Sequence, residues 1–223
     1  MMTNLFSSFD PSTSNMVSMN WVSMLLFTTI MPTSFWLIKS RSYTMMKMIT
    51  KKMNNELNTI MNNKNKESTI MFISLFLLIM INNVMGLFPY IFTSSSHMVM
   101  TLSLALPMWL SFNIFGWINK TNHMFEHMVP MGTPTILMPF MVAIETISTI
   151  IRPGTLSIRL AANMIAGHLL MTLLGNTGSK LNYIMMMSML TIQVLLLMLE
   201  SAVSVIQAYV FSVLTTLYSS EMN

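Results

Sequence analysis

Glu145, Arg152, Arg159, Asn163, His168, Gln193, Glu200 and Gln207 are polar or ionisable residues embedded in two long apolar stretches of the chain. An ionisable group within a membrane-length apolar stretch is costly to insert and marks a functional site by default. Their spacing is ordered. Glu145, Arg152 and Arg159 differ by sevens, so on a helix they fall within about 40° of one another, and Asn163 extends that stripe. His168 lies roughly 180° from Arg159, on the opposite face. Gln193, Glu200 and Gln207 repeat every seven residues, with Ser204 beside them. A buried polar network gluing two helices would also produce such stripes. Two acids, two arginines and a histidine exceed what helix packing requires.

The residue types divide the chemistry. An arginine keeps its proton inside a protein, so Arg159 cannot be a relay station. It can act as a fixed positive charge that holds a mobile carboxylate ionised and repels a proton attempting to pass directly. Glu145, His168 and Glu200 can exchange protons with water when their surroundings tune them. Glu145 lies early in its stretch, His168 late, and Glu200 midway along the next. Titratable groups on either side of an untitratable barrier describe two half-channels instead of one open pore. Ala161, Ala162, Ala166 and Gly167 surround Arg159 and Asn163 with small side chains. They fit either ordinary tight packing or the close approach of another helix.

The elements that position these residues belong to a membrane. The 223 residues are 53% hydrophobic and only 8% charged, against about 25% charged in soluble domains. So few charges cannot cover a water-facing surface. About 20 apolar residues cross a ~30 Å hydrocarbon core as a helix, and residues 17–38, 68–88 and 98–118 fit that length as ordinary spans. Pro89 and the serines Ser94, Ser95 and Ser96 bound them. Residues 133–175 and 181–218, joined by the turn Asn176-Thr177-Gly178-Ser179-Lys180, are far longer. As continuous helices each would run roughly 55–65 Å, about twice the core. Pro153-Gly154 is a place to kink the first. A strongly tilted two-helix hairpin leaning on a partner accommodates both, since ordinary spans tilt by only about 20°. The expected fold is therefore an all-α integral membrane protein forming a single domain over 1–223.

Between the first two spans, residues 39–67 hold seven of the eleven basic side chains: Lys39, Arg41, Lys47, Lys51, Lys52, Lys64 and Lys66. Met45, Met48, Ile49, Met53, Leu57, Ile60 and Met61 recur at helical spacing, which predicts an amphipathic surface helix over 43–62. The basic excess puts that helix on the cytoplasmic or matrix side and the N-terminus on the other. Alternation of spans returns the polar stretch 119–130 to the matrix side and leaves the C-terminus there.

The absence of cysteine excludes disulfide frameworks, thiolate metal sites and cysteine nucleophiles. Of the four histidines, His123 and His127 stand at i, i+4 with Glu126 between them, a possible metal pair. They have no second ligand cluster, so a solvated loop is expected there, with no metal site and no cofactor. Thirty methionines, with lysine exceeding arginine and abundant Asn, Ile and Thr, fit an AT-rich gene read under a mitochondrial code. Residues 1–11 show neither an Arg-rich presequence nor a signal peptide, as expected for a protein made inside the organelle.

The run Arg159-Leu160-Ala161-Ala162-Asn163-Met164-Ile165-Ala166-Gly167-His168-Leu169-Leu170 resembles the signature of the rotary ATP synthase subunit a family. The likeness extends from about Glu145 through Gln207, and Met1-Met2-Thr3-Asn4-Leu5-Phe6 with Phe9-Asp10-Pro11 is similar to animal mitochondrial members. The resemblance implies a non-catalytic, proton-translocating stator subunit of the inner mitochondrial membrane. Its partners would be a ring of c subunits, the other membrane-sector stator subunits and lipid, with no nucleic acid. It implies that Arg159 faces the ring's ion-binding carboxylate, that protons arrive near His168 and Glu200, and that they leave near Glu145. Asn163 and Gln207 match polar positions flanking the arginine. Arg152 matches no required position. A self-contained transporter is the competing reading, but such transporters usually show internal repeats and none is visible. A purely structural scaffold would not need Arg159 opposite titratable groups.

Overall fold

The computed structural model describes residues 5–13, 17–34, 36–61, 68–129, 134, 136–178 and 182–222. Lys64 and Lys66, Thr133, and Ser179 and Lys180 of the expected hairpin turn lie outside them. Among the described residues there are no strands. The helices are α1 (Met19–Ile30, 3-10 as far as Leu25), α2 (Arg41–Ile60), α3 (Thr69–Gly86), α4 (Met98–Asn119), α5 (Thr121–Met128), α6 (Met138–Gly178) and α7 (Tyr183–Met222). A 3-10 turn, Leu5–Phe9, precedes them.

Among the described residues, four helices are long and apolar enough to cross a membrane: α3, α4, α6 and α7. The span expected at 17–38 is not an ordinary helical crossing. Its helix stops at Ile30, because Pro32 drives Met31 into an extended conformation (φ −59°, ψ 118°). Residues 121–128, expected as a solvated loop, form α5, which buries Met124 and leaves His123, Glu126 and His127 exposed. The serines expected merely to bound a span form a buried 3-10 turn, Ser94–Ser96.

α2 matches the amphipathic helix drawn from the sequence. Ser40 caps its start by accepting from the Tyr43 N–H. Met53, Leu57 and Met61, four residues apart, are its buried stripe, while Met45, Met48 and Ile49 near its start are exposed. The stripe enters two apolar clusters. One joins Met53 to Phe76, Leu77 and Ile79 of α3, Ala105 of α4, Leu156 and Leu160 of α6, and Ala208 and Phe211 of α7. The other joins Leu57 and Met61 to Phe72 and Met108.

α6 and α7 have 41 and 40 residues and are each continuous. Pro153 stands inside α6 without ending it. α7 turns small hydroxyls inward: Ser204, Ser212, Thr215, Thr216 and Ser219 are buried, and each donates to a carbonyl three residues back in its own helix. Small, internally satisfied residues let helices approach closely where lipid cannot solvate a free donor.

Candidate functional site

The hairpin carries its polar residues in two separated groups. Towards the α6 C-terminus, Asn163, Gly167 and His168 from α6 and Glu200, Val203 and Gln207 from α7 line one cavity of about 330 Å³. The seven-residue repeat on α7 thus brings Glu200 and Gln207 to the same hollow that α6 supplies with Asn163 and His168. Gly167 is what lets Glu200 in: a Cβ added there would lie 2.7 Å from the Glu200 Cδ and 2.8 Å from its Oε1. Both titratable groups hold an unsatisfied atom: His168 Nε2 and Glu200 Oε1 are buried without a hydrogen-bond partner among the described residues. Orphaned buried polar atoms are rare and call for a functional reason.

His168 also borders a second, larger cavity of about 700 Å³. Its walls include Asp10, Asn20, Gly86, Thr93 and Thr172. One side chain therefore belongs to both hollows. The larger hollow reaches the N-terminal segment, where Asp10 is exposed. The Asp10 carboxyl is held below the usual carboxylate range by the Ser12 backbone N–H and then by the Ser12 hydroxyl, at 3.0 and 2.7 Å from Oδ1.

The other group is near the start of α6. Arg152 donates to Glu221 of α7 at 2.7 Å, lies 3.6 Å from Glu145, and stacks over the Tyr218 ring at 5.3 Å. All three charged side chains remain about a third exposed, at 27%, 31% and 39%, and His127 of α5 borders the same hollow. Sequence reasoning missed Glu221. Its only sequence signal is an acid at the far end of an apolar helix, and its partner is 69 residues away.

Arg159 stands between the two groups and joins neither. It is exposed, and the ion pairs among the described residues all involve Arg152. Ala162 and Ala166 share its exposed surroundings, while Ala161 is buried. Behind the site, fully buried Asn83 of α3 donates to the Ser204 carbonyl at 3.4 Å. Of the six residues that the resemblance links to proton movement, Asn163, His168, Glu200 and Gln207 share a cavity, Glu145 sits with Arg152 and Glu221, and Arg159 is separate from both.

The family model described as the ATP synthase A chain matches residues 15–220. ATP synthase subunit a of Drosophila simulans is 59% identical over 224 residues, covering 100% of both chains. The subunit a chains of Anopheles quadrimaculatus and Locusta migratoria are 60% and 59% identical, again over 100% of both.

Proposed function

From the premise that this chain belongs to the ATP synthase A chain family, the proton-translocating subunit of the membrane sector, we propose that it supplies two offset half-channels separated by Arg159. The observation that carries this reading is the division of the hairpin. A cavity with His168 and Glu200 lies on one side of Arg159, and a water-accessible carboxylate, Glu145, lies on the other.

Protons taken up through the larger cavity reach His168 and pass by way of Glu200 to a carboxylate on a partner. Asn163 and Gln207 line that route and orient the transfer. The partner is a rotating ring of c subunits, each with one ion-binding carboxylate, that runs along the exposed face of α6 and α7. Arg159 meets each arriving carboxylate and holds it ionised. It also closes the direct route, because it can neither give up its proton nor let another positive charge pass. After nearly a full turn the carboxylate releases its proton near Glu145. Each crossing supplies about 2.3 kcal/mol per 100 mV, which the ring converts to rotation.

Helices of this length, roughly 60 Å at 1.5 Å per residue, fit a ~30 Å core only when strongly oblique, and the ring's curved flank gives them a surface to lean on. The protein resides in the inner mitochondrial membrane beside other stator subunits, with its N-terminus in the intermembrane space and its C-terminus in the matrix. Replacing Arg159 by Ala in the assembled complex tests the reading. Proton-driven ATP synthesis should vanish, and synthesis near wild type would overturn it. Robust solute transport by the chain alone in liposomes would favour a self-contained transporter.

A further inference from the structure

The N-terminal segment is fixed over the larger cavity by polar contacts. His97, the residue before α4, places Nε2 2.9 Å from the Phe9 carbonyl, a bond spanning 88 residues. The His97 ring is itself packed, stacking on Phe92 at 5.2 Å and leaning on Trp21 at 5.3 Å. The next peptide is held as well, because Asn20 donates to the Asp10 carbonyl at 3.1 Å. On its inner side the Phe9 ring meets His168 edge-on, with centroids 6.1 Å apart. Ser7, Ser8, Phe9 and Asp10 then form one wall of the cavity that His168 borders.

A segment that merely covered apolar surface would bury its apolar side chains. Leu5 and Phe6 are instead exposed, at 37% and 65%, and the hydrogen bonds go to the peptides next to His168. We propose that residues 5–10 are the outer wall of the proton-uptake vestibule, and that His97 is the positioning residue that latches this wall over His168. The inference rests on the reading of His168 as the first titratable station inside the protein. The latch shapes the water path that reaches the ring. It also sets the Asp10 carboxylate at the lip, with His168 and Tyr90 as the other titratable groups lining the vestibule.

The chain has no cysteine, so one placed at Thr172, on the cavity wall, reports access. In the assembled complex, Thr172→Cys is labelled with a membrane-impermeant thiol reagent from the N-terminal side, in otherwise wild-type, His97→Ala, His97→Gln and Phe9→Ala backgrounds. Labelling is read on this chain by mass. Losing the latch should raise the labelling rate about 2- to 10-fold, the population shift that follows the loss of one hydrogen bond. Proton-driven synthesis should fall by a similar factor. His97→Gln, which keeps a donor for the Phe9 carbonyl, should restore both. Phe9→Ala keeps the backbone carbonyl that His97 holds and removes only the ring that meets His168, so it tests the wall apart from the latch should His97→Ala fail to assemble, and it should raise labelling by widening the cavity. Equal labelling in all four backgrounds, or equal effects of Ala and Gln at position 97, would overturn the latch. His168→Ala, assayed in parallel, separates the two failures. Wild-type synthesis there sinks the uptake reading itself. A dead His168→Ala beside neutral latch variants sinks only the latch.

Discussion

α6 carries two arginines seven residues apart, and the protein treats them in opposite ways. Arg152 is held on three sides, by Glu145, Glu221 and the Tyr218 ring. Arg159 is exposed and outside every ion pair among the described residues. An arginine at the centre of a membrane helix costs about 2.5–3.5 kcal/mol on insertion scales and more in isolation. A chain that neutralises one arginine with two acids and leaves its neighbour bare is complete at the first site and incomplete at the second. On the proposed function, the missing countercharge belongs to another subunit. Residue type and helix are shared by the two, so the contrast isolates what partner chemistry requires.

The largest expected effect strikes the bare arginine. Arg159→Ala and Arg159→Lys should both reduce proton-driven ATP synthesis to background in an assembled complex, the lysine because a desolvated ammonium can lose its proton. Lysine supporting synthesis would show that charge alone suffices. Next comes the shared cavity: His168→Ala or Glu200→Gln should slow synthesis about 10²-fold or more, the scale of losing a positioned proton carrier. Proton flux across reconstituted vesicles measures it. Gly167→Ala leaves every titratable group in place but pushes a methyl into the Glu200 carboxyl. It should lower synthesis severalfold without changing the amount of assembled complex. Arg152→Gln should be milder than any of these. Its partly exposed ion pairs are worth about 0–1 kcal/mol, so the complex should lose a little thermal stability and keep synthesising. An assembled but inactive Arg152→Gln complex would erase the distinction between the two arginines. The smallest effect is at Asp10→Asn. Because the Asp10 carboxyl is held below the usual carboxylate range, it is charged at neutral outside pH. The variant should therefore be slightly slower there, and the difference should persist through the usual carboxylate range and vanish only at outside pH below it.

Legibility in the sequence followed the range over which the signal acts. α3, α4 and the hairpin stood out because an apolar run is local. The stretch 98–118 became Met98–Asn119, and the predicted surface helix 43–62 became Arg41–Ile60. The seven-residue repeat placed Glu200 and Gln207 on one face of α7, but helical spacing set His168 nearly opposite Arg159 and set Asn163 beside that arginine, so their meeting in one cavity was not legible from spacing. Pro32 was present in the sequence, yet hydropathy alone counted 17–38 as a span although the proline ends its helix. α5 was obscured by its polar composition, because only Met124 is buried. The Arg152–Glu221 and His97–Phe9 pairs join residues 69 and 88 positions apart, and no periodicity within one element announces such a pairing.

The docking of α2 has a mechanical consequence. The hydroxyls of α7 satisfy their own backbone, so hydrogen bonds do little to prevent the hairpin from shifting along its neighbours. α2 and the residue after it meet α7 through the Tyr209 hydroxyl donating to Glu56 at 3.2 Å and through the Met61 sulfur packed 3.0 Å from the Ser219 hydroxyl, whose proton is shared with the Thr216 carbonyl. On the proposed function a rotor dragging on the hairpin would load it sideways, and with α2 on the membrane surface its length would supply the lever arm to brace against that load. On this view α2 is a strut, and stiffness rather than proton transfer is what its two contacts contribute.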